Sequence, residues 1–358
     1  MGYTLVLATC LSLLVNTACS EHPNPSNGRQ SPHEAGTAVA DTLEFTSGIR
    51  SILHDSQGNY WFGSDQEGVC KFDGAKFQYF TPEDGFCGKQ VITIQEDKSG
   101  RIWFGTSSGV CYYDGKRFHE VATAAPAQLL GEPAQSAWLV RTTDLYFPGR
   151  RKNELIRIDQ GKAQSLHFTS PPPEKGKPLD YGITAMVKSK RGGLWMAHYA
   201  GVSYTDGTNF RWINDKSMHF DGVSKYMHVR SIMEDSKGRL WIGNNGIGVQ
   251  LLEGDSIVHF SEKMDLFKGD IFAFPGLPAT LMHVFAMAED ANGTIWFGDR
   301  DTGVWRYDGT AMKNFTLDAK LATNHIWQIY EDKKGQLLFA SGDRGVYQWN
   351  GAGFDRVF

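Results

Sequence analysis

Three observations write an all-β fold, a seven-bladed β-propeller of four-stranded antiparallel blades, into the sequence. The first is composition: 358 residues include 40 glycines and 13% aromatics with 10 Trp, a mixture suited to short strands joined by tight turns. The second is a Trp recurring at Trp61, Trp103, Trp195, Trp241 and Trp296, with Leu338 taking its place in a last copy. The third is an Asp-x-x-Gly tetrad preceding most of these copies, at Asp55/Gly58, Asp97/Gly100, Asp235/Gly238, Asp290/Gly293 and Asp332/Gly335. Self-similarity at such a period is the mark of a repeat architecture.

Each piece of the unit has a physical task. An apolar-rich first strand ends at the tetrad, whose Asp accepts bonds from turn amides while the Gly supplies the positive φ that closes a hairpin. The second strand carries the Trp. A Gly-Val pair opens the third (Gly68-Val69, Gly201-Val202, Gly248-Val249, Gly303-Val304, Gly345-Val346). Asp-Gly or a close variant, as at Asp73-Gly74, Asp206-Gly207 and Asp308-Gly309, then turns into a fourth strand ending in aromatics. Four short antiparallel strands in about 45 residues is the size of one propeller blade. The Trp copies lie 42, 92, 46, 55 and 42 residues apart, and the 92 hides a degenerate copy running from Trp138 through Tyr146 to Asp159-Gln160-Gly161. That makes seven units between about residue 48 and Phe358. Two segments compete to complete blade seven, Phe354–Phe358 and Leu43–Thr46. A strand supplied from the amino-terminal side would clasp the ring.

The repeat Asp-x-x-Gly-x-[Ile/Leu]-Trp-[Phe/Ile]-Gly, followed by Gly-Val and Asp-Gly, resembles the two-component regulator propeller repeat, and six of the seven units carry most of it. Propellers of that family often form the periplasmic sensor half of hybrid histidine kinases, where carbohydrate recognition is common. The resemblance therefore implies a sensor or binding module, here without a kinase segment up to Phe358.

Residues 1–19 read as a signal peptide. The apolar run Leu5–Val15 is too short to span a bilayer, and Ala18-Cys19 resembles a bacterial lipoprotein processing site with cleavage before Cys19, the acylated residue. Asn16 stands where Leu is usual, and no Lys or Arg precedes Arg29; an ordinary cleaved signal is the alternative. Residues 20–41, rich in Pro, Ser, Asn and Gly, read as a flexible tether, and 42–358 as the propeller. Both readings export the protein: the first holds it in the bacterial cell envelope, at the outer membrane or periplasmic face, by its lipid alone, and the second leaves it periplasmic or secreted. Loss of residues 1–19 leaves Cys70, Cys87 and Cys111. Cys70 and Cys111 occupy equivalent positions on adjacent blades, about 10 Å apart, beyond disulfide reach, so buried free thiols are expected.

Lys+Arg 36 against Asp+Glu 40 gives a net charge of -4. No basic excess exists for nucleic-acid binding. Function is expected where the units differ. The connections after the fourth strands are long at Ala122–Gln135, Thr169–Gly182, Asn214–His228 and Ser261–His283, and long loops in compact domains are often functional. They or their edges carry Trp212, Phe220, Tyr226, Phe267, Phe272 and Phe274, flat rings suited to sugars. His228, His283 and His325 each directly precede the first strand of blades 5, 6 and 7. Three imidazoles converging on the axis could hold a divalent metal, the one cofactor considered, could contact a ligand, or could cap the loops. Two positions on, the residue changes from blade to blade: Arg50, Ile92, Thr184, Arg230, Phe285, Trp327. Such variety at one repeat position suits an asymmetric ligand. No Gly-x-Ser-x-Gly, phosphate loop, Cys-x-x-Cys or His-Glu-x-x-His is present. The leading expectation is a non-catalytic propeller binding a glycan, a small polar ligand or an envelope protein on its looped face, with His228, His283, His325, Arg50, Arg230, Trp327 and Tyr226 as ligand contacts. A metal-assisted lyase or hydrolase at the three histidines is the alternative.

Overall fold

The computed structural model describes residues 39–122, 128–130, 143–149, 153–168, 181–207, 209–220, 226–267 and 280–358. Seven sheets follow one another along the chain, antiparallel throughout but for one added strand in blade 3. Blade 5 shows the pattern: Val229–Glu234, Leu240–Asn244, Val249–Glu253 and Ser256–His259 pair in chain order. The first strands of the other complete blades are Ile49–His54, Val91–Glu96, Ile183–Lys188, Val284–Glu289 and Ile326–Glu331. Blade 3 shows Leu145–Pro148, Glu154–Asp159 and Lys162–Phe168, with Gln128–Leu130 lying parallel to the last of these. Its degenerate turn forms as expected, with Gln160 and Gly161 both at positive φ. Trp138 lies outside the described residues, as do Cys19 and the signal and tether up to residue 38.

The tetrad does more than turn the chain. One carboxylate oxygen of Asp235 accepts the amides of Lys237 at 3.0 Å and Arg239 at 2.9 Å, while the other takes the Trp241 indole N–H at 2.9 Å. Asp55, Asp97 and Asp290 hold Trp61, Trp103 and Trp296 in the same way. The buried Trp thus has its one polar group satisfied, and its ring packs on the next blade, Trp241 against Phe297 at 5.6 Å and Trp61 against Phe104 at 5.5 Å. Burial raises the cost of ionising Asp235, but the Trp241 and Arg239 bonds outweigh it and hold its carboxyl below the usual range. The penultimate glycine of the second strand allows the blades to approach: in Ile295–Asp299 a Cβ at Gly298 would meet Ile326 Cγ2 of blade 7 at 2.6 Å.

Ring closure settles on the carboxy-terminal candidate. Phe354–Arg356 is the outer strand of blade 7. Phe358 then crosses the seam to pack on Tyr60 and Phe62 of blade 1, at 5.1 and 4.9 Å. Leu43 and Phe45 wedge into the same core. The expected tether ends earlier than residue 41, because Val39–Ala40 adds a fifth strand to the outer edge of blade 1 rather than to blade 7. With Leu338 in place of Trp, Asp332 accepts the Tyr60 hydroxyl across the seam at 2.6 Å.

The cysteine expectation needs correction. Cys70 is a buried free thiol, but Cys87 and Cys111 form a disulfide, with Cα atoms 6.0 Å apart. The bond joins the loop before blade 2 to that blade's third strand. Distance between blades excluded Cys70–Cys111 and said nothing about this pair.

Candidate functional site in the axial cavity

A cavity of about 610 Å³ runs along the ring axis, walled by the first strands. Each described first strand carries a β-bulge at the same place. In blade 1 Ile49 pairs with Ser64 and Ser51 with Gly63, so Arg50 has no partner opposite. The same register shift skips Ile92, Thr184, Arg230, Phe285 and Trp327. An extra residue re-aims its side chain out of the normal alternation. All six line the cavity. The variable position legible in the sequence is therefore a ring of bulge residues facing one space.

Four of these side chains form a continuous arc. The Arg230 guanidinium lies 4.4 Å from the Phe285 ring centroid, Phe285 meets Trp327 at 5.7 Å, and Arg50 lies 4.3 Å from the Trp327 centroid. Arg50 is anchored by Asp65 at 2.7 Å, which also accepts from Gln90 at 2.9 Å. Arg230 bonds the Tyr199 hydroxyl at 3.1 Å. Burial, reinforced by the Arg50 and Arg300 charges, holds Arg230 below the usual guanidinium value, which the Tyr199 hydroxyl partly offsets.

The three histidines are absent from the cavity wall. Their repeated task lies in the backbone: the carbonyls of His228, His283 and His325 accept the amides of Asn245, Arg300 and Gly342 at 2.8, 2.8 and 2.7 Å. Gly48 and Gln90 do the same for Asp65 and Ser107 in blades 1 and 2. This is the loop-capping role, and it makes no demand on the side chain. The His283 Nδ1 bonds Asn245 Oδ1 at 2.9 Å. Burial and the Arg300 charge lower its pKa, so its 3.6 Å approach to Asp301 is no ion pair at neutral pH. The His325 ring sits 4.1 Å from Trp327 and 4.8 Å from Phe285, its Nε2 buried without a hydrogen-bond partner. Burial, with Arg300 and Arg230 nearby, pushes its pKa down to about 4. Among the described residues no three His, Cys, Asp or Glu side chains are placed to hold a metal ion, so the expected three-histidine centre does not assemble.

Tyr226 is half-buried and also lies outside the cavity wall. Trp212 belongs to the strand Phe210–Ile213, packed on His198 at 4.6 Å, rather than to a loop. Phe272 and Phe274 and most of the four long connections lie outside the described residues. Sequence reasoning missed Tyr199, Lys188 and Gln328, which line the cavity from positions where the repeat gives no signal.

Fold and cavity together define a seven-bladed propeller with a variable ring of side chains lining its cavity. Four stretches of the chain, residues 44–66, 85–108, 224–246 and 279–301, match the two component regulator propeller model. A 42-residue stretch is 45% identical to a histidine kinase of Formosa agariphila, covering 12% of this chain and 3% of that one. The extracellular domain of a candidate hybrid two-component system from B. thetaiotaomicron superposes with a TM-score of 0.62 at 19% identity, over 89% of this chain and 40% of its own. A catalytically inactive virginiamycin B lyase from Staphylococcus aureus, solved with quinupristin, superposes at 0.58 with 14% identity, over 86% and 97%. The chain thus spans a small part of the kinase and about two fifths of the sensor structure.

Proposed function

We propose that this protein is an exported, non-catalytic binding propeller of the sensor type that holds a small polar ligand or the end of a glycan in its axial cavity. The observation that carries this reading is the bulge ring: six blades break their ladder at one position, and the six side chains that meet there are of five kinds. A packing role alone would not call for cations, a hydroxyl, aliphatic and aromatic groups at one repeat position. Export is supported by the signal-like residues 1–19 and by the Cys87–Cys111 disulfide, a bond that persists in oxidising compartments. Acylation at Cys19 would tether the ring to the envelope membrane. The histidines cap loops and pack against aromatics, which favours binding over metal-assisted lysis.

The test is a thermal-shift and calorimetric screen of sugars and small polar metabolites on the mature protein. A ligand is expected to raise the melting temperature in the native protein and not in Ile92→Trp, which places an indole in the cavity beside the bulge ring. Stabilisation that survives Ile92→Trp would move the site elsewhere. Cys19→Ala should shift the protein from the membrane fraction to the soluble fraction.

A further inference from the structure

The charge of the cavity wall runs against the charge of the chain. The protein carries a net charge of -4, yet the cavity is lined by Arg50, Arg230 and Lys188 and by no Asp or Glu among the described residues. Arg50 has its counter-charge behind it in Asp65, which fixes the guanidinium against Trp327. Arg230 has no carboxylate within 4 Å among the described residues, and its hydrogen bond goes to a neutral phenol. A guanidinium presents five N–H donors in a planar fork, so most of the donors of Arg230 remain for something else. Removing a cation from water without a counter-ion is costly. Such an arrangement persists where an anion completes it, because a charge-assisted bond inside a cavity is stronger than one in water. Between the two guanidiniums stand Phe285 and Trp327, whose rings offer an apolar, flat surface.

Resting on the binding reading above, we propose that the axial cavity takes a ring-bearing oxyanion, a carboxylate, sulfate or phosphate carried on a cyclic skeleton. Its charge is received by Arg230 and Arg50, and its ring by Phe285 and Trp327. Asp65 acts as a positioning residue that aims Arg50. The bulge at Arg230 and the bulge at Arg50 place the two forks at the ends of one arc, so the ligand is oriented as well as attracted.

The experiment uses the mature protein and four probes: para-nitrophenyl β-glucuronide, its neutral counterpart para-nitrophenyl β-glucoside, para-nitrophenyl sulfate and para-nitrophenyl phosphate. The glucuronide is expected to bind at least about tenfold more tightly than the glucoside, since a hydrogen bond to a charged group contributes about 1.5–3 kcal/mol. Arg230→Gln should bring that ratio close to one. Arg230→Lys, which keeps the charge and loses the fork, should give an intermediate ratio and serves if the Gln variant fails to fold. The sulfate and phosphate probes tell which oxyanion fits. Equal binding of glucuronide and glucoside, a preference that survives Arg230→Gln, or no binding of any anionic probe would overturn the inference. Glucoside binding that is blocked by Ile92→Trp would in that case leave the cavity standing as a ligand site. Binding of every probe unchanged by Ile92→Trp would remove the cavity reading itself.

Discussion

The second strands and the first strands of this ring obey opposite rules. In the second strands one arrangement repeats: Trp61, Trp103, Trp241 and Trp296 each donate their indole N–H to the tetrad Asp six residues earlier, at 2.8–2.9 Å. In the first strands one place repeats and its chemistry does not, since the bulge carries Arg, Ile, Thr, Arg, Phe and Trp in turn. The clamp serves the packing between blades, which is the same problem at every interface. The bulge ring faces a space that no blade owns alone. Repetition marks what holds the fold together, and its interruption marks where the proposed ligand would be received.

The sharpest way to break that contrast is to remove a clamp. Asp235→Ala deletes the acceptor of Trp241, two turn amides and the Arg239 side chain at a fully buried position. Leaving such donors buried and unpaired is expected to cost about 3 kcal/mol or more, read by urea denaturation. A double-mutant cycle with Trp241→Leu, which imitates Leu338 of blade 7, should show strong coupling. Additive effects would mean the indole bond is incidental.

The disulfide comes next. Cys87→Ala with Cys111→Ala opens a loop of 24 residues, and the chain-entropy model sets the loss at about 3 kcal/mol. Equal stability of oxidised and reduced native protein in denaturant would remove the bond as a structural element.

How much of this was legible follows from what a repeat can encode. The seven units, the tetrads and the Trp positions were readable because turn chemistry and packing recur with the period. The variable residues at Arg50, Arg230 and Trp327 were also readable, as the place where the pattern changes. The bulge was not: an extra residue shifts the register of hydrogen bonds without altering the sequence period. The three histidines recur at one place in three blades, and periodicity gives a residue's place but not which of its groups does the work. At His228, His283 and His325 the carbonyl accepts a loop amide, as the carbonyl of Gly48 does in blade 1. The Cys87–Cys111 bond was hidden for a related reason, since Cys87 lies in a loop where no repeat position predicts its neighbours.

Acid should weaken the molecule through histidines that both strand classes bury. His198, held by the Tyr181 carbonyl and the Ser203 hydroxyl, is driven to about 4 by burial, with the carbonyl partly opposing. His325 is lowered similarly. A histidine whose folded pKa is depressed lets the unfolded chain bind more protons between that value and about 6.5. Its contribution is therefore present above pH 6.5 and lost as the pH falls towards 4. Asp299, raised to about 6 by burial, works in the opposite sense over the same window. With His283 lowered as well, the histidines prevail, and the melting temperature should fall between pH 6.5 and 4.5. His325→Phe should flatten part of that fall; an unchanged slope would mean that His325 titrates normally.

The smallest expected effect tests the first strands. Arg230→Gln removes a half-buried cation with no carboxylate beside it among the described residues, so folding should lose little and could gain, within about 1 kcal/mol. Functional positions commonly hold such locally unfavourable groups, because selection at a binding site acts on the ligand-bound state. The native backbone bulge does not depend on the side chain, as Ile92 and Thr184 show by occupying the same register shift. A neutral or slightly raised melting temperature in Arg230→Gln, beside a large drop in Asp235→Ala, would confirm that the two strand classes answer to different demands. A drop of similar size in both would mean that the Arg230–Phe285 stack is part of the packing, and that the axis is as structural as the clamps.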